Sequence, residues 1–239
     1  MYNVSLNLAR SRSRMIGIYR LAERASIVSA NVLIIGENGV GKEYLARQIH
    51  SIRDPEEKNF HVYRCHADEK DFEKVRKLFQ DAIGQHSVDT PVTVYLKSLE
   101  EVELKYQLQL LEILEEKQFL QLMETMDYNS RPRLICSCVT EGSLKTEGIL
   151  QQKLVYRLDV IHIEIPPLRE RKEEILPLAD LFLQEFTVKY GKTLKGFSQN
   201  VRTRFLRHTW PGNVRELRNV VEQGVVLSRG EMVDNICWN

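Results

Sequence analysis

The residues best suited to chemistry are Gly36-Glu37-Asn38-Gly39-Val40-Gly41-Lys42, which reproduce the spacing G-x-x-x-x-G-K. Glycines at these intervals let successive backbone N–H groups turn inward around a phosphate. A helix that follows adds the partial positive charge of its N-terminus, and Lys42 can reach the outer phosphates. The motif carries weight because a strand-like run, Val32-Leu33-Ile34-Ile35, precedes it and an amphipathic pattern follows it. Glu43 stands where Ser or Thr commonly offers a hydroxyl to magnesium, which taken alone weakens the case for that metal. The expected ligand is ATP or ADP.

Other candidates read more plainly. Cys136 and Cys138 share one face of a strand and are expected to pack as small apolar side chains rather than to form a redox or metal pair. His61 and His66 flank Cys65, yet no second ligand cluster closes a tetrahedron, so they are expected to be structural or surface residues and no metal site is assigned. The run Arg169 to Glu174 contains both signs of charge after a double proline and reads as a capped, solvated helix start.

The scaffold for the loop follows from alternating patterns. Val32–Ile35, Phe60–Tyr63, Val92–Leu96, Arg133–Cys136 and Val160–Ile165 read as strands. Between them, Leu45/Ile49/Ile52, Phe72/Val75/Phe79/Ile83 and Leu104/Leu108/Leu111 have helical spacing. Such alternation predicts an α/β fold with a parallel five-stranded sheet and right-handed crossovers. Pro166-Pro167 stops the last strand, and the pattern beyond is purely helical, with stripes at Ile175/Leu178/Phe182/Phe186, Val201/Phe205 and Val214/Leu217/Val221/Val225. Trp210-Pro211-Gly212-Asn213 breaks the chain before the third stripe, where Asn213 is suited to cap the helix. The domains are therefore a flexible basic arm at 1–14, an α/β nucleotide-binding domain at 15–168 and a helical lid at 169–239.

Composition excludes several classes. Lys plus Arg at 34 against Asp plus Glu at 33 leaves a formal charge of +1, too little for a general field toward nucleic acid or an anionic membrane. No apolar run approaches the ~20 residues that span a bilayer. Four cysteines without paired spacing, and no secretory leader, suit a reduced cytoplasmic setting. The arm at 1–14 is too short for a receiver domain and the sequence ends at Asn239 soon after the third stripe, without room for a helix-turn-helix reader, so no DNA-binding domain is expected within these residues; in an excised fragment both could lie elsewhere.

With these pieces placed, the chain resembles the central AAA+ domain of sigma-54-dependent, NtrC-like bacterial transcription activators. The likeness runs from Met15 nearly to the end. It rests on Met15-Ile16-Gly17, Gly36 to Glu43, Ile49-His50, Pro166-Pro167-Leu168-Arg169-Glu170-Arg171, and Trp210-Pro211-Gly212-Asn213-Val214-Arg215-Glu216-Leu217. Glu43 is itself usual in that family. The resemblance implies an AAA+ P-loop fold with a helical lid, and ATP held between neighbouring subunits of a ring. It places Ile16 and Gly17 near the adenine, Lys42 on the phosphates, and Arg215 as the lid arginine that reaches the phosphates of its own subunit. Arg157, in Tyr156-Arg157-Leu158, matches one of two arginine fingers offered to a neighbour; its other reading is an ion pair ahead of the last strand.

The same alignment shows what is missing. The acidic pair that holds magnesium and orients water at the end of the third strand is replaced by Lys97 and Ser98. An ammonium repels magnesium and could pair with a phosphate instead, and serine is too weak a base near neutral pH. Glu100 or Glu101 would substitute only after a register slip of two residues. The asparagine that restrains the catalytic glutamate aligns with Arg64, the Thr-Asn sensor with Cys138-Val139, and the first arginine finger with Gln151. Between Cys65 and Val92 there is neither the GAFTGA motif that grips sigma-54 nor the length to carry it; Phe72 to Ile83 reads as one amphipathic helix.

The resulting expectation is a degenerate relative that binds ATP or ADP, hydrolyses it poorly and does not remodel sigma-54 polymerase directly. It would work as a regulatory or assembly module in transcription, as a homo-oligomer or mixed with a related AAA+ protein. The alternatives are a functional ATPase that regulates transcription through Glu100 or Glu101, and a nucleotide-free interaction scaffold with Lys97 or Arg64 filling the phosphate site.

Overall fold

Val32–Ile35 has no polar break, and all four residues are buried, as a strand covered on both faces requires. This is β1. It lies in a five-stranded sheet with β2 (Phe60–Arg64), β3 (Thr93–Lys97), β4 (Arg133–Cys138) and β5 (Ile161–Glu164), in the order β2-β3-β4-β1-β5. Every pairing is parallel. The computed structural model describes residues 14–56, 58–64, 73–77, 92–115, 131–139 and 152–236.

Helices α1 (Met15–Ile27), α2 (Lys42–Ser51), α3 (Leu104–Glu115) and α4 (Gln152–Leu158) accompany the sheet, and residues 73–77 are helical. The rest of the stretch from Phe72 to Ile83 lies outside the described residues, as do the arm before Arg14, Cys65, His66, Gln151 and Cys237. Two spacings were misread. Ile52 lies just past the end of α2 and is 55% exposed, and Leu108 is 42% exposed. The core face of α3 is Tyr106, Leu110, Leu111, Ile113 and Leu114. Of the count anchored on Leu104, Leu111 reaches the core and Leu108 does not, because leucine covers α3 on several sides. Helices α1 and α4 carry no clear stripe and were not anticipated.

A polar network is sealed inside the sheet layer. The His50 ring contacts Thr93 Oγ1 at 2.8 Å and Asp54 Oδ2 at 3.2 Å, and Asp54 also accepts from the Asn59 N–H at 3.1 Å. Burial alone pushes the Asp54 carboxyl up, yet the Asn59 N–H and the His50 ring bring it below its ordinary value. A depressed carboxyl contributes stability that is complete above the unfolded pKa of about 3.9 and is lost as pH falls through the folded value. Asp54→Asn should therefore cost about 1–2 kcal/mol near pH 7, with the gap to the parent closing below about pH 4. Urea unfolding of both proteins at several pH values checks this.

The lid begins where Pro167, extended at φ −64°, leads into two 3-10 turns, Leu168–Glu170 and Lys172–Glu174. It continues through α5 (Ile175–Lys189), β6 (Gly196–Phe197), α6 (Gln199–Arg207), α7 (Asn213–Leu227) and β7 (Met232–Val233). Its core gathers Phe186, Phe197, Phe205, Trp210, Leu217 and Val221. The region is not purely helical, since β6 and β7 pair in a small parallel ladder, two residues each and too short for periodicity to reveal. Ser198 caps α6 by accepting from the Val201 N–H at 3.4 Å.

Two compact units are distinguished. One comprises residues up to Gly17, Glu37–Gly41 and Ile165–Asn239; the other comprises Ile18–Gly36 and Lys42–Glu164. Ile165 and the tip of the glycine-rich loop, Glu37–Gly41, thus group with the residues that follow β5. Among the described residues no helix is long and apolar enough to cross a membrane.

Candidate nucleotide-binding site

The sheet unit supplies the two ends of the loop. Gly36 leaves β1 with its N–H on the Cys138 carbonyl at 3.2 Å, and α2 starts at Lys42, whose ammonium donates to the Gly36 carbonyl oxygen. Lys42 is thereby folded back over the loop, at the helix end where partial positive charge collects.

The end of β3 stands beside this helix start. Lys97 Nζ donates to Glu43 Oε2 at 2.8 Å, and Arg47 reaches Glu43 Oε1 at 3.3 Å. The Lys97 ammonium above all, then Arg47, holds the Glu43 carboxyl below its usual range against the opposing effect of burial. Ser98 follows in the left-handed region at φ 60°, an unusual conformation for a side chain without special local bonding, and its carbonyl accepts from the Glu101 N–H at 2.9 Å. This bend starts the 3-10 turn Leu99–Glu101, which inserts Leu99 into the core and carries Glu100 inward. Burial pushes the Glu100 carboxyl up, while its own N–H, the Lys42 charge and the Val139 N–H favour ionisation; its Oε2 is buried with no hydrogen-bond partner.

The lid unit grips the loop tip. Arg169 binds Glu37 in a fork, Nη1 to Oε2 at 2.9 Å and Nη2 to Oε1 at 2.6 Å. Asn213 donates from one amide nitrogen to Glu37 Oε2 and to the Asn38 carbonyl, both at 3.0 Å, and accepts from the Leu168 N–H at 2.8 Å. Arg171 donates to the Val40 carbonyl at 2.8 Å and pairs with Glu174 at 3.2 Å, and the Arg215 N–H reaches the Gly39 carbonyl at 3.3 Å. Arg169 and then Asn213 draw the Glu37 carboxyl below its usual range.

Two expectations are corrected by this arrangement. Asn213 does not cap α7: it is the first residue of that helix, fully buried at φ 53°, and its side chain is spent on the loop, while Glu216 Oε2 accepts the Gly212 N–H at 2.8 Å. The run Arg169 to Glu174 is solvated only in part before α5: Arg169, Glu170, Lys172 and Glu173 are exposed, but Arg171 is 3% exposed and pairs with Glu174, and Arg169 is committed to Glu37. Composition registered the charges but could not supply their partners. The signal lay in the motifs Pro166 to Arg171 and Trp210 to Leu217, recognised as a signature without their contacts being readable.

The remaining predicted residues are placed as follows. Arg215 is exposed and lines a groove of about 690 Å³ with Asn38, Gly212, Asn219 and Val226. Ile16 is half-buried and Gly17 exposed near the start of α1. Arg157 pairs with Glu115 at 3.6 Å, both 45% exposed. Arg64 ends β2 in register with Lys97. Cys136 and Cys138 are buried in the core, and burial shifts His61 toward its neutral form. Among the described residues no group of three His, Cys, Asp or Glu side chains could hold a metal ion.

Residues 8–164 match the family described as Sigma-54 interaction domain, and residues 169–235 match the AAA+ ATPase lid domain. The alginate biosynthesis transcriptional regulatory protein AlgB of Pseudomonas putida is 33% identical over 231 residues, covering 92% of this chain and 52% of AlgB. The regulatory protein LuxO of Vibrio vulnificus is 32% identical, covering 93% and 52%. The chain thus spans about half the length of the curated relatives it matches. NtrX from Brucella abortus, solved in complex with ADP, superposes with a TM-score of 0.72 at 22% identity, over 92% of this chain and 51% of that one. Its complex with ATP gives 0.71, covering 98% and 53%. At that identity the likeness speaks for the fold.

Proposed function

The chain belongs to the Sigma-54 interaction domain family, followed by an AAA+ lid, and from that premise we propose that it holds ATP or ADP at Gly36 to Lys42 and cleaves it at or near background. The observation that carries this reading is the start of α2, with Lys42 and Glu43, beside a strand end that presents Lys97 and Ser98. Phosphoryl transfer depends on charge stabilisation and an oriented nucleophile, and neither residue can hold a cation or take a proton from water near neutral pH. Cys138 and Val139 supply no side-chain amide to sense a γ-phosphate, and Arg64 stands where an asparagine would restrain the catalytic glutamate. Solved NtrX complexes with ADP and ATP support nucleotide as the ligand class.

In this reading Ile16 and Gly17 approach the adenine, Glu37 to Glu43 enclose the phosphates and Arg215 reaches them from the lid. Arg157 serves a neighbouring copy or a related AAA+ protein; its present pair with Glu115 is exposed and worth at most about 1 kcal/mol, so it yields readily to a phosphate. The role is regulation or assembly within transcription. Direct remodelling of sigma-54 polymerase is disfavoured, because the sequence between Cys65 and Val92 has no GAFTGA motif.

One observation favours a second reading. Glu100 brings a buried carboxyl to the neighbourhood of Lys42, with one oxygen unbonded, and could take the part of the missing acid. Labelled ATP and ADP titrations paired with phosphate release on the same sample separate the two. The first reading expects binding that weakens about a hundredfold in Lys42→Ala, with release at background. Turnover that disappears in Glu100→Gln would establish the second. Absence of binding and of any thermal shift with every nucleotide would instead indicate a scaffold.

A further inference from the structure

In phosphate loops of this spacing, the residue after the lysine gives an oxygen to Mg2+ and an acid from a neighbouring strand end supports the ion. In this chain those two positions, Glu43 and Lys97, bond to each other: Lys97 Nζ lies 2.8 Å from Glu43 Oε2. The ammonium occupies the oxygen that a metal would use. Arg47 holds the other carboxylate oxygen at 3.3 Å. Glu100, the acid whose charge is coupled to Lys42, is shifted by burial toward its neutral form, and the neighbour of Lys97 is Ser98 rather than a second acid. A divalent ion brought here would meet Lys42, Lys97 and Arg47 with little carboxylate left to bind it, so the residues present do not fit Mg2+. They fit the polyphosphate itself, because Lys42 and Lys97 can both donate charge-assisted hydrogen bonds to phosphate oxygens.

We propose that Lys97 takes over the electrostatic part of the divalent cation, so that this site accepts nucleoside di- and triphosphates as free anions and Mg2+ competes with the protein for them. The inference rests on the nucleotide-binding reading above and concerns the ionic form the site selects. When a phosphate arrives, Lys97 turns from Glu43 to the ligand and Arg47 remains to compensate Glu43, so no carboxylate is left without a cation. In an acid-containing site the order is reversed, since there the nucleotide brings the metal with it.

The test is a titration of the purified chain with ATP in excess EDTA and again in excess MgCl2, repeated for Lys97→Met and Lys97→Asp, with a thermal melt of each variant. The parent should bind in EDTA, and its apparent affinity should fall about three- to tenfold in excess Mg2+, which withdraws the free anion. Lys97→Met should bind about tenfold more weakly in EDTA with no rescue by metal, and Lys97→Asp should lose EDTA binding and regain it with Mg2+. If the aspartate variant fails to fold beside Glu43, the methionine variant decides. Parent binding that requires Mg2+, or EDTA binding unchanged in Lys97→Met, overturns the proposal and leaves the nucleotide reading standing. Failure to bind in either buffer removes both.

Discussion

Arg133→Leu should lower the unfolding free energy of the sheet unit by about 3–5 kcal/mol, the largest single-residue effect expected in this protein. Arg133 opens β4 at 1% exposure, and its guanidinium donates to the Ala25 and Val28 carbonyls, at 2.8 and 3.2 Å, and to the Ile49 carbonyl at 2.8 Å. These groups end α1 and α2, whose last carbonyls have no helical partner. Burial, with the nearby Arg53 charge, lowers the Arg133 pKa to about 9, so the side chain remains cationic at neutral pH.

Replacing a buried ion pair with an apolar pair of similar volume is often harmless because both charges leave together. That escape is closed at position 133, since the acceptors are backbone carbonyls that no substitution removes. Leucine would leave them buried and unsatisfied, and the relief from uncharging the arginine offsets part of the cost. Urea unfolding followed by far-UV circular dichroism measures the difference. A change below about 1 kcal/mol would mean that water or a shifted helix end satisfies the carbonyls.

Gly39→Ala should disrupt the lid unit and the loop together, at a cost of about 2–4 kcal/mol, whereas Gly41→Ala should cost only about 1–2 kcal/mol. Both glycines sit at positive φ, +81° and +106°. They differ in surroundings: a Cβ at Gly41 meets nothing within 4 Å, while one at Gly39 would overlap the Gly212 carbonyl oxygen. Relief requires Gly212 to retreat, and the Arg215 N–H bond to Gly39 and the Asn213 bonds to Glu37 and Asn38 depend on that approach. Fluorescence of the buried Trp210 in a denaturant series reports the loss. Equal effects in the two variants would show that backbone strain alone, and not the contact with Gly212, sets the cost.

The sheet was legible because buried parallel strands require uninterrupted apolar runs, and Val32–Ile35 and, within β3, Val94–Leu96 are of that kind. α1 was missed because its sequence mixes polar and apolar residues without a sharp stripe, and the β6–β7 ladder because two residues carry no period. Of the site, the phosphate loop could be read from residue types in order along the chain, whereas the comparison of Lys97 and Ser98 with an acidic pair rests on the family resemblance. Glu100 was considered only as a slipped substitute. It comes close to Lys42 through the left-handed turn at Ser98, a conformation that serine does not announce.

Local order along the chain thus specified the strand, the glycine-rich loop and the helix after it, because each depends on neighbours a few residues apart. The pairing of Lys97 with Glu43 and the hold of Arg169 and Asn213 on Glu37 depend on groups 54, 132 and 176 residues apart along the chain. Periodicity and composition carry no information about such distances. Folding brings those charges together, and their desolvation in the folded chain decides which remain charged and which partner each one keeps.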